Sequence, residues 1–350
     1  MNPLPARRKK HALRRFFLRP KVLLCLALAL FAAAFLIVDQ CVFPMRYAAA
    51  LMRLPAIPAR EEGQMRVLFA DVGQGDCTVI QFPDGTAMLI DGGDGSLSAR
   101  SEAIACCFAL GVERFDSVLL THPDSDHAAG LAELIACFGA DTVWLPLFAE
   151  AEGEDGAAYA AFLSAVEESG AATRFAQTYA HFLSSEEEYF YYGMFLSPSE
   201  GESYADTNDA SAVLWLEYAG KSFLFTGDAS GRVEDALVRA YEQTDGAVFE
   251  LDVPAYGGTR TLAPALSELT FLKAGHHGSN ASTGEALLSL CSPDAVFFSA
   301  GRGNLYGHPS DSCIARVREA VPDAALYRTD ELGSILLTLS ADGSCTVQAV

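Results

Sequence analysis

The sequence predicts a layered α/β domain preceded by a basic leader and one apolar helix. Three observations predict it. From Met65 onward, short β-rich runs alternate with helical patterns, which is the mark of layered α/β architecture. Five of the seven histidines fall at the ends of those β-rich runs or in glycine-rich loops just after them. Ahead of Met65, dense positive charge gives way to an unbroken apolar run and then to a proline-punctuated stretch.

The first 21 residues carry eight Lys or Arg and no Asp or Glu. The apolar run Val22–Val38 follows, 17 residues long. As a helix it would measure roughly 26 Å, close to a bilayer core, and Asp39 ends it. Positive charge before a single span places residues 1–21 in the cytoplasm and the rest outside. The expectation is a single-pass membrane protein with an extracytoplasmic C-terminal domain. Secretion after signal cleavage is the competing expectation, although Asp39-Gln40-Cys41 makes a poor small-residue cleavage site. Residues 39–64, with Pro44, Pro55 and Pro58, read as a linker, and 65–350 as the folded domain.

Within that domain, Arg66–Val72, Thr78–Phe82 and Ala87–Ile90 read as strands, with Pro83-Asp84-Gly85-Thr86 as a hairpin turn. Ser98–Leu110 reads as a helix, Ser117–Leu120 as a buried strand and Ala128–Phe138 as a helix. Thr142–Leu145 is a strand and Ala157–Glu168 a helix. Residues 176–209 carry an aromatic cluster and many acids, with no clear period. Ser211–Tyr218 and Ser222–Phe225 form a hairpin around Ala219-Gly220, and Gly231–Tyr241 is helical. Residues 244–268 read as irregular. Thr270–Ala274 and Val296–Ser299 are strands, Ser310–Ala320 a helix, and Gly333–Leu339 and Cys345–Val350 close a sheet.

The formal charge is −21, and setting aside the eight basic leader residues leaves −29 for the remainder. Such a domain repels polyanions at long range. No basic groove for long nucleic acid is visible, although a phosphate can still be held locally by metal ions and backbone N–H groups. The nine cysteines form no CxxC pair, and their odd number argues against a disulfide framework. Those in the folded domain are expected to be buried small apolar side chains.

His122-x-Asp124-x-Asp126-His127 packs four candidate metal ligands into six residues. A strand tip, a tight loop and a helix start can bring all four together, and imidazole with carboxylate suits zinc or manganese. One Asp could instead cap the next helix, but that leaves both histidines unexplained. Asp228 ends a buried strand, where a carboxylate can bridge two metals or cap the helix that starts at Gly231. In Gly275-His276-His277-Gly278-Ser279 the glycines allow close backbone approach, and one histidine is a candidate ligand. His276 is preferred and His277 stays open. His308, beside a helix start, is a candidate to hold a phosphate or give a proton to a leaving group. Asp76 and Asp91 read either as orienters of metal-binding histidines or as structural turn residues.

The stretches DVGQGDCTVI, LIDGG, LLTHPDSDHAAGL, TNDASAVLWLEYAGKSFLFTGD, LKAGHHGS, YGHPS and RTDELGSI run in order from about Met65 to the C-terminus. In them the chain resembles the metallo-β-lactamase superfamily, and within it the ComEC-like branch. The resemblance implies an αββα sandwich with two divalent metal ions at one edge, zinc expected and manganese the alternative. It implies His122, Asp124, Asp126, His127 and His276 as ligands and Asp228 as the bridge. Asp124 stands where most of the superfamily has histidine, and that harder ligand favours manganese. The superfamily's third-motif histidine has no clear match, and Asn208 falls near its place.

The expected activity is metal-dependent hydrolysis of a small or phosphodiester substrate, phosphodiesterase- or nuclease-like, through a metal-activated water. Asp126 or Asp228 would orient that water and His308 protonate the leaving oxygen. Hydrolysis of a lactam, lactone or thioester is the alternative chemistry. A metal-bound module that turns nothing over is the alternative class. No protein partner can be inferred.

Overall fold

Strands whose residues are apolar in succession need cover on both faces. The β-rich runs meet that need by stacking two sheets and flanking them with helices. In this computed structural model the described residues are 20–41, 47, 52, 54–147, 152–185, 187–202, 204, 206–244, 249–253, 258–262, 264–267 and 269–350. Residues 1–19 of the basic leader, and 42–46, 48–51 and 53 of the linker, lie outside them.

In chain order the first elements are α1 (Pro20–Cys41), β1 (Met65–Phe69), β2 (Thr78–Gln81), β3 (Ala87–Ile90), α2 (Leu97–Leu110) and β4 (Phe115–Leu119). Next come α3 (Ser125–Ala128), α4 (Leu131–Phe138), β5 (Ala140–Pro146), α5 (Gly153–Ser169), β6 (Ala172–Ala176), β7 (His181–Leu183) and β8 (Tyr191–Ser197). They are followed by β9 (Val213–Tyr218), β10 (Lys221–Phe225), α6 (Gly231–Thr244), β11 (Phe249–Val253), β12 (Gly258–Leu262) and β13 (Phe271–Lys273). The last are α7 (Glu285–Cys291), β14 (Ala295–Phe298), α8 (Asp311–Ala320), β15 (Ala325–Arg328), α9 (Thr329–Leu332), β16 (Ile335–Leu339) and β17 (Cys345–Ala349).

Arg53–Val350 is one compact unit and Met1–Met52 another. In the larger unit, one sheet runs β17-β16-β1-β2-β3-β4-β5-β6 and the other β15-β14-β13-β10-β9-β8-β7. Each sheet has a parallel run, β3 to β6 in the first and β10, β13, β14 and β15 in the second. Phe69 stacks on Phe297 across the sheets at 4.5 Å, amid Val67, Ile90, Leu214, Phe225, Ile335 and other buried side chains. Leu68, Val79, Leu89 and Val118 alternate with those positions and are buried too, so the first sheet is covered on both faces. On the outer face of the second sheet, Trp215, Leu272 and Val296 pack with Val233, Leu287, Leu288 and Val317 of α6, α7 and α8. The expected α/β sandwich with two sheets is the architecture observed.

The other unit holds α1, whose Leu24, Leu28, Leu30 and Phe31 are exposed. Among the described residues, no helix is long and apolar enough to cross a membrane. This corrects the expected location as a single-pass, membrane-anchored protein. Spanning a hydrocarbon core of ~30 Å takes about 20 apolar residues, and Val22–Val38 falls short of that between Lys21 and Asp39.

Three further differences have local causes. The helix expected over 128–138 is two, α3 and α4, broken at Gly130, where a Cβ would sit 1.8 Å from the Gly92 carbonyl oxygen. Residues 176–209 contain β7 and β8, paired antiparallel at the edge of the second sheet. Residues 249–262 form an antiparallel hairpin of β11 and β12 rather than an irregular stretch, with 254–257 outside the described residues. Cys77, Cys106, Cys107, Cys291 and Cys313 are buried as expected, whereas Cys345 lies exposed on the edge strand β17.

Candidate metal centre

The parallel strands set the site. In α/β sheets, ligand positions gather beyond the C-terminal ends of such strands. Here Asp91 follows β3, His122–His127 follows β4, Asp228 follows β10, His276 and His277 follow β13, and the loop to His308 follows β14. Asp76 arrives from the loop between β1 and β2. Gly75 makes its approach workable: its φ is +134°, and a Cβ there would lie 2.3 Å from the Asp126 carbonyl oxygen. Asp91, His276 and His277 also have φ near +50° to +60°. Three non-glycine residues in the left-handed region at one site mark backbone strain held by its surroundings.

The tightest convergence is Asp76, His127, Asp228 and His277, which are buried and offer ligand atoms within 4.8 Å of one another. His127 Nε2 lies 3.3 Å from His277 Nε2. Asp228 Oδ1 is 3.3 Å from His127 Nε2, and its Oδ2 is 3.3 Å from His277 Nε2. Asp126 Oδ2 also stands 3.3 Å from His277 Nε2, and its Oδ1 is 4.0 Å from His127 Nε2. His122 flanks this group, with its ring centroid 4.1 Å from that of His127 and its Nε2 3.6 Å from Asp124 Oδ2. His276 is one-third exposed, with Nε2 3.6 Å from Asp228 Oδ2. The two adjacent histidines therefore both face Asp228, His277 from the buried side and His276 from the rim.

Surrounding groups aim the inner ones. Asp91 Oδ2 meets His127 Nδ1 at 2.8 Å, and its two oxygens also accept from the Thr121 N–H and hydroxyl. His277 Nδ1 lies 3.0 Å from the Ser299 carbonyl oxygen. Both contacts leave the Nε2 atoms directed inward. Thr207 Oγ1 donates to Asp124 Oδ1 at 2.6 Å. Asn208 turns instead to Asp206, donating through Nδ2 at 3.1 Å, so its neighbour Thr207 makes the link to the cluster. His308 sits outside, its ring 5.7 Å from His276 and 6.5 Å from His277.

Lys273 is the residue sequence reading passed over. It ends β13 almost fully buried, its Nζ paired closely with Asp76 Oδ2, 3.9 Å from Asp228 Oδ1 and donating to the Gly227 carbonyl at 3.2 Å. The available signal was a lysine in an otherwise apolar strand, Phe271-Leu272-Lys273-Ala274. It pairs with Asp76, whose other oxygen lies 3.2 Å from His277 Nδ1.

The charges reinforce one another. Burial alone would raise the Asp228 pKa, but His277 and His127 hold it well below the usual carboxylate range. Burial opposes protonation of His277, yet Asp228, Asp76 and Asp126 lift its pKa to about 10. His127 is raised in the same way by Asp228 and Asp91. Burial and the nearby His277 and His276 push His308 down, which favours its neutral ring.

This donor set fits divalent cations. Two imidazole Nε2 atoms 3.3 Å apart face carboxylates from Asp126 and Asp228. His122 Nε2 and Asp228 Oδ1 are buried with no hydrogen-bond partner, as polar atoms rarely are unless something else satisfies them.

Fold and site together describe an α/β sandwich of two sheets with a candidate metal centre at one edge. A family model of the metallo-β-lactamase superfamily matches residues 70–302. The chain belongs to that superfamily. Its curated relatives are ComEC-family competence proteins. It is 28% identical to ComE operon protein 3 of Bacillus subtilis (strain 168), over 78% of this chain and 33% of that protein. It is 28% identical to the competence protein ComA of Neisseria gonorrhoeae, over 83% of this chain and 34% of that one. The chain thus spans about a third of the length of these relatives. Among solved structures it is similar to Igni18, a metallo hydrolase from Ignicoccus hospitalis, at 12% identity and TM-score 0.43, covering 81% of this chain and 98% of that one. It is also similar to CmlA, a diiron β-hydroxylase from Streptomyces venezuelae, at 12% identity and TM-score 0.45, covering 84% of this chain and 55% of that one.

Proposed function

We propose that this domain is a metal-dependent phosphodiesterase. The observation that carries the reading is the convergence of the buried His127, Asp228 and His277 with the partly exposed Asp126, beside a rim that presents His276 and His308. Two divalent ions, zinc expected and manganese the alternative, would be held by His122, Asp124, Asp126, His127, Asp228 and the His276–His277 pair. When bound, they would activate water and offset charge building on phosphorus.

The chain's own residues supply the rest. Asp228 faces imidazoles with both oxygens, which suits a bridge between ions. Asp91 and the Ser299 carbonyl fix the ring orientations, so less reorganisation is needed as ligands bind. Asp126 is partly exposed and can accept a hydrogen bond from an approaching water. His308, with its ring 5.7 Å from that of His276, would hydrogen-bond the departing oxygen.

The test is hydrolysis of bis(p-nitrophenyl) phosphate by zinc- and manganese-loaded protein, with metal content measured alongside. Asp126→Ala is expected to lower kcat by at least about 100-fold, in line with loss of a positioned acid–base group. Unchanged turnover in that variant, or fewer than about one metal per chain, would sink the reading. A lactam or thioester turned over in place of every phosphodiester would move the assignment to the alternative bond class.

A further inference from the structure

The loop between β14 and α8 carries an exposed apolar pair beside the site. Leu305 is 101% exposed and Tyr306 72%. Tyr306 therefore presents most of an aromatic ring to solvent near a polar centre.

This loop is tightly held. Asn304 Nδ2 donates to the Gly301 carbonyl at 2.8 Å and to the His308 carbonyl, while its Oδ1 accepts from the N–H groups of Tyr306 and His308 at 3.1 and 3.0 Å. Arg302 Nε donates to the Asp330 carbonyl at 2.9 Å. Gly301 lies so close to the β1–β2 loop that a Cβ would be 2.7 Å from the Gln74 nitrogen. The apolar pair is therefore displayed on a fixed frame, and little ordering entropy remains to be lost on binding.

The rings lead inward from it. Tyr306 lies nearly parallel to His308, at 25° with centroids 5.9 Å apart. His308 in turn is 5.7 Å from His276, which faces Asp228. An aromatic face thus stands one ring away from the rim of the metal centre. The charge of −21 gives no reason to expect further phosphates to be gripped.

We propose that Tyr306 forms a shelf for a flat ring borne by the phosphate ester, phenyl or nucleobase, and so sets preference among phosphodiesters. The proposal rests on the phosphodiesterase reading for its substrate, but binding tests it without turnover.

The experiment is calorimetric titration of full-length, zinc-loaded protein with ethyl, octyl and phenyl phosphate and with thymidine 5′-monophosphate. Phenyl phosphate and the nucleotide are expected to bind about tenfold tighter than ethyl phosphate, as one stacked ring allows. Tyr306→Ala should erase most of that gap, and Tyr306→Phe should keep it. A gain for both ring ligands means that any flat ring is taken, and a gain for the nucleotide alone narrows the shelf to nucleosides. Octyl phosphate gaining as much as phenyl phosphate would overturn the shelf as a ring site. So would a wild type indifferent to the ring, or a gap that survives in Tyr306→Ala. Ring-dependent binding through Tyr306 without hydrolysis of any phosphodiester would instead refute the activity and leave the shelf standing.

Discussion

Lys273→Met tests the charge balance under the metal centre. The substitution removes an ammonium that pairs with Asp76, hydrogen-bonds Gly227 and lies 3.9 Å from Asp228. Lys273 and Asp76 side chains are only 3% and 6% exposed, so water cannot take over the lost contacts. Burial alone would raise the Asp76 pKa, and Lys273 is the leading group that instead holds it down at about 2. Breaking a buried pair from one side typically costs about 3–5 kcal/mol, and His277, whose Nδ1 lies 3.2 Å from Asp76 Oδ1, puts the expected loss toward the lower end of that range. For a domain of this size that is on the order of a 10 °C drop in Tm. The assay is thermal unfolding at pH 7 of chelator-treated protein, followed by circular dichroism. Lys273→Met with Asp76→Asn should recover at least about 2 kcal/mol of the loss, since the carboxylate that lost its ammonium is then neutral. A single variant within about 1 kcal/mol of wild type would refute the reasoning, as would a double variant no better than the single.

Gly130→Ala should destabilise by about 3 kcal/mol or more, because its Cβ would meet the Gly92 carbonyl at 1.8 Å. Gly303→Ala, with open space around it but φ +65°, should cost only about 1 kcal/mol; urea midpoints in the reverse order would count against this account. Burial raises Glu234 from an ordinary 4.5 to about 7, despite N–H donation from Gly284 and Thr283. The folded state then binds the extra proton, so this contribution is complete below about pH 4.5 and lost as pH rises through about 7. Between those values wild-type stability should fall by on the order of 3 kcal/mol from this group, and Glu234→Gln should show a flatter curve; parallel curves would exclude it. Asp91→Asn should weaken metal affinity about 10–100-fold by freeing the His127 ring, and competition with a chromophoric chelator showing no change would dismiss that role.

Much of this was legible in the chain. His122-x-Asp124-x-Asp126-His127 announces itself because all four groups are local, and a strand tip with one helical turn is enough to gather them. The glycine-flanked His276-His277 pair was equally visible, but its orientation was not. Which of the two turns inward depends on backbone near φ +50° and on the Ser299 carbonyl 22 residues away. The hairpin at 249–262 was hidden because its strands pair with each other rather than continuing either main sheet, so no strong period marks them.

The amino-acid sequence by itself determined the layered α/β class, the places where ligands cluster and the excess of negative charge. Each follows from local patterns, namely apolar period, turn chemistry and residue type. The tertiary structure alone decided that Asp76, His127, Asp228 and His277 share one buried point, because they arrive from four separate loops. It also decided that Lys273 lies beneath them as a fixed cation. A lysine in a strand has no assigned partner until the fold brings Asp76 across to it, and burial then makes that pairing obligatory.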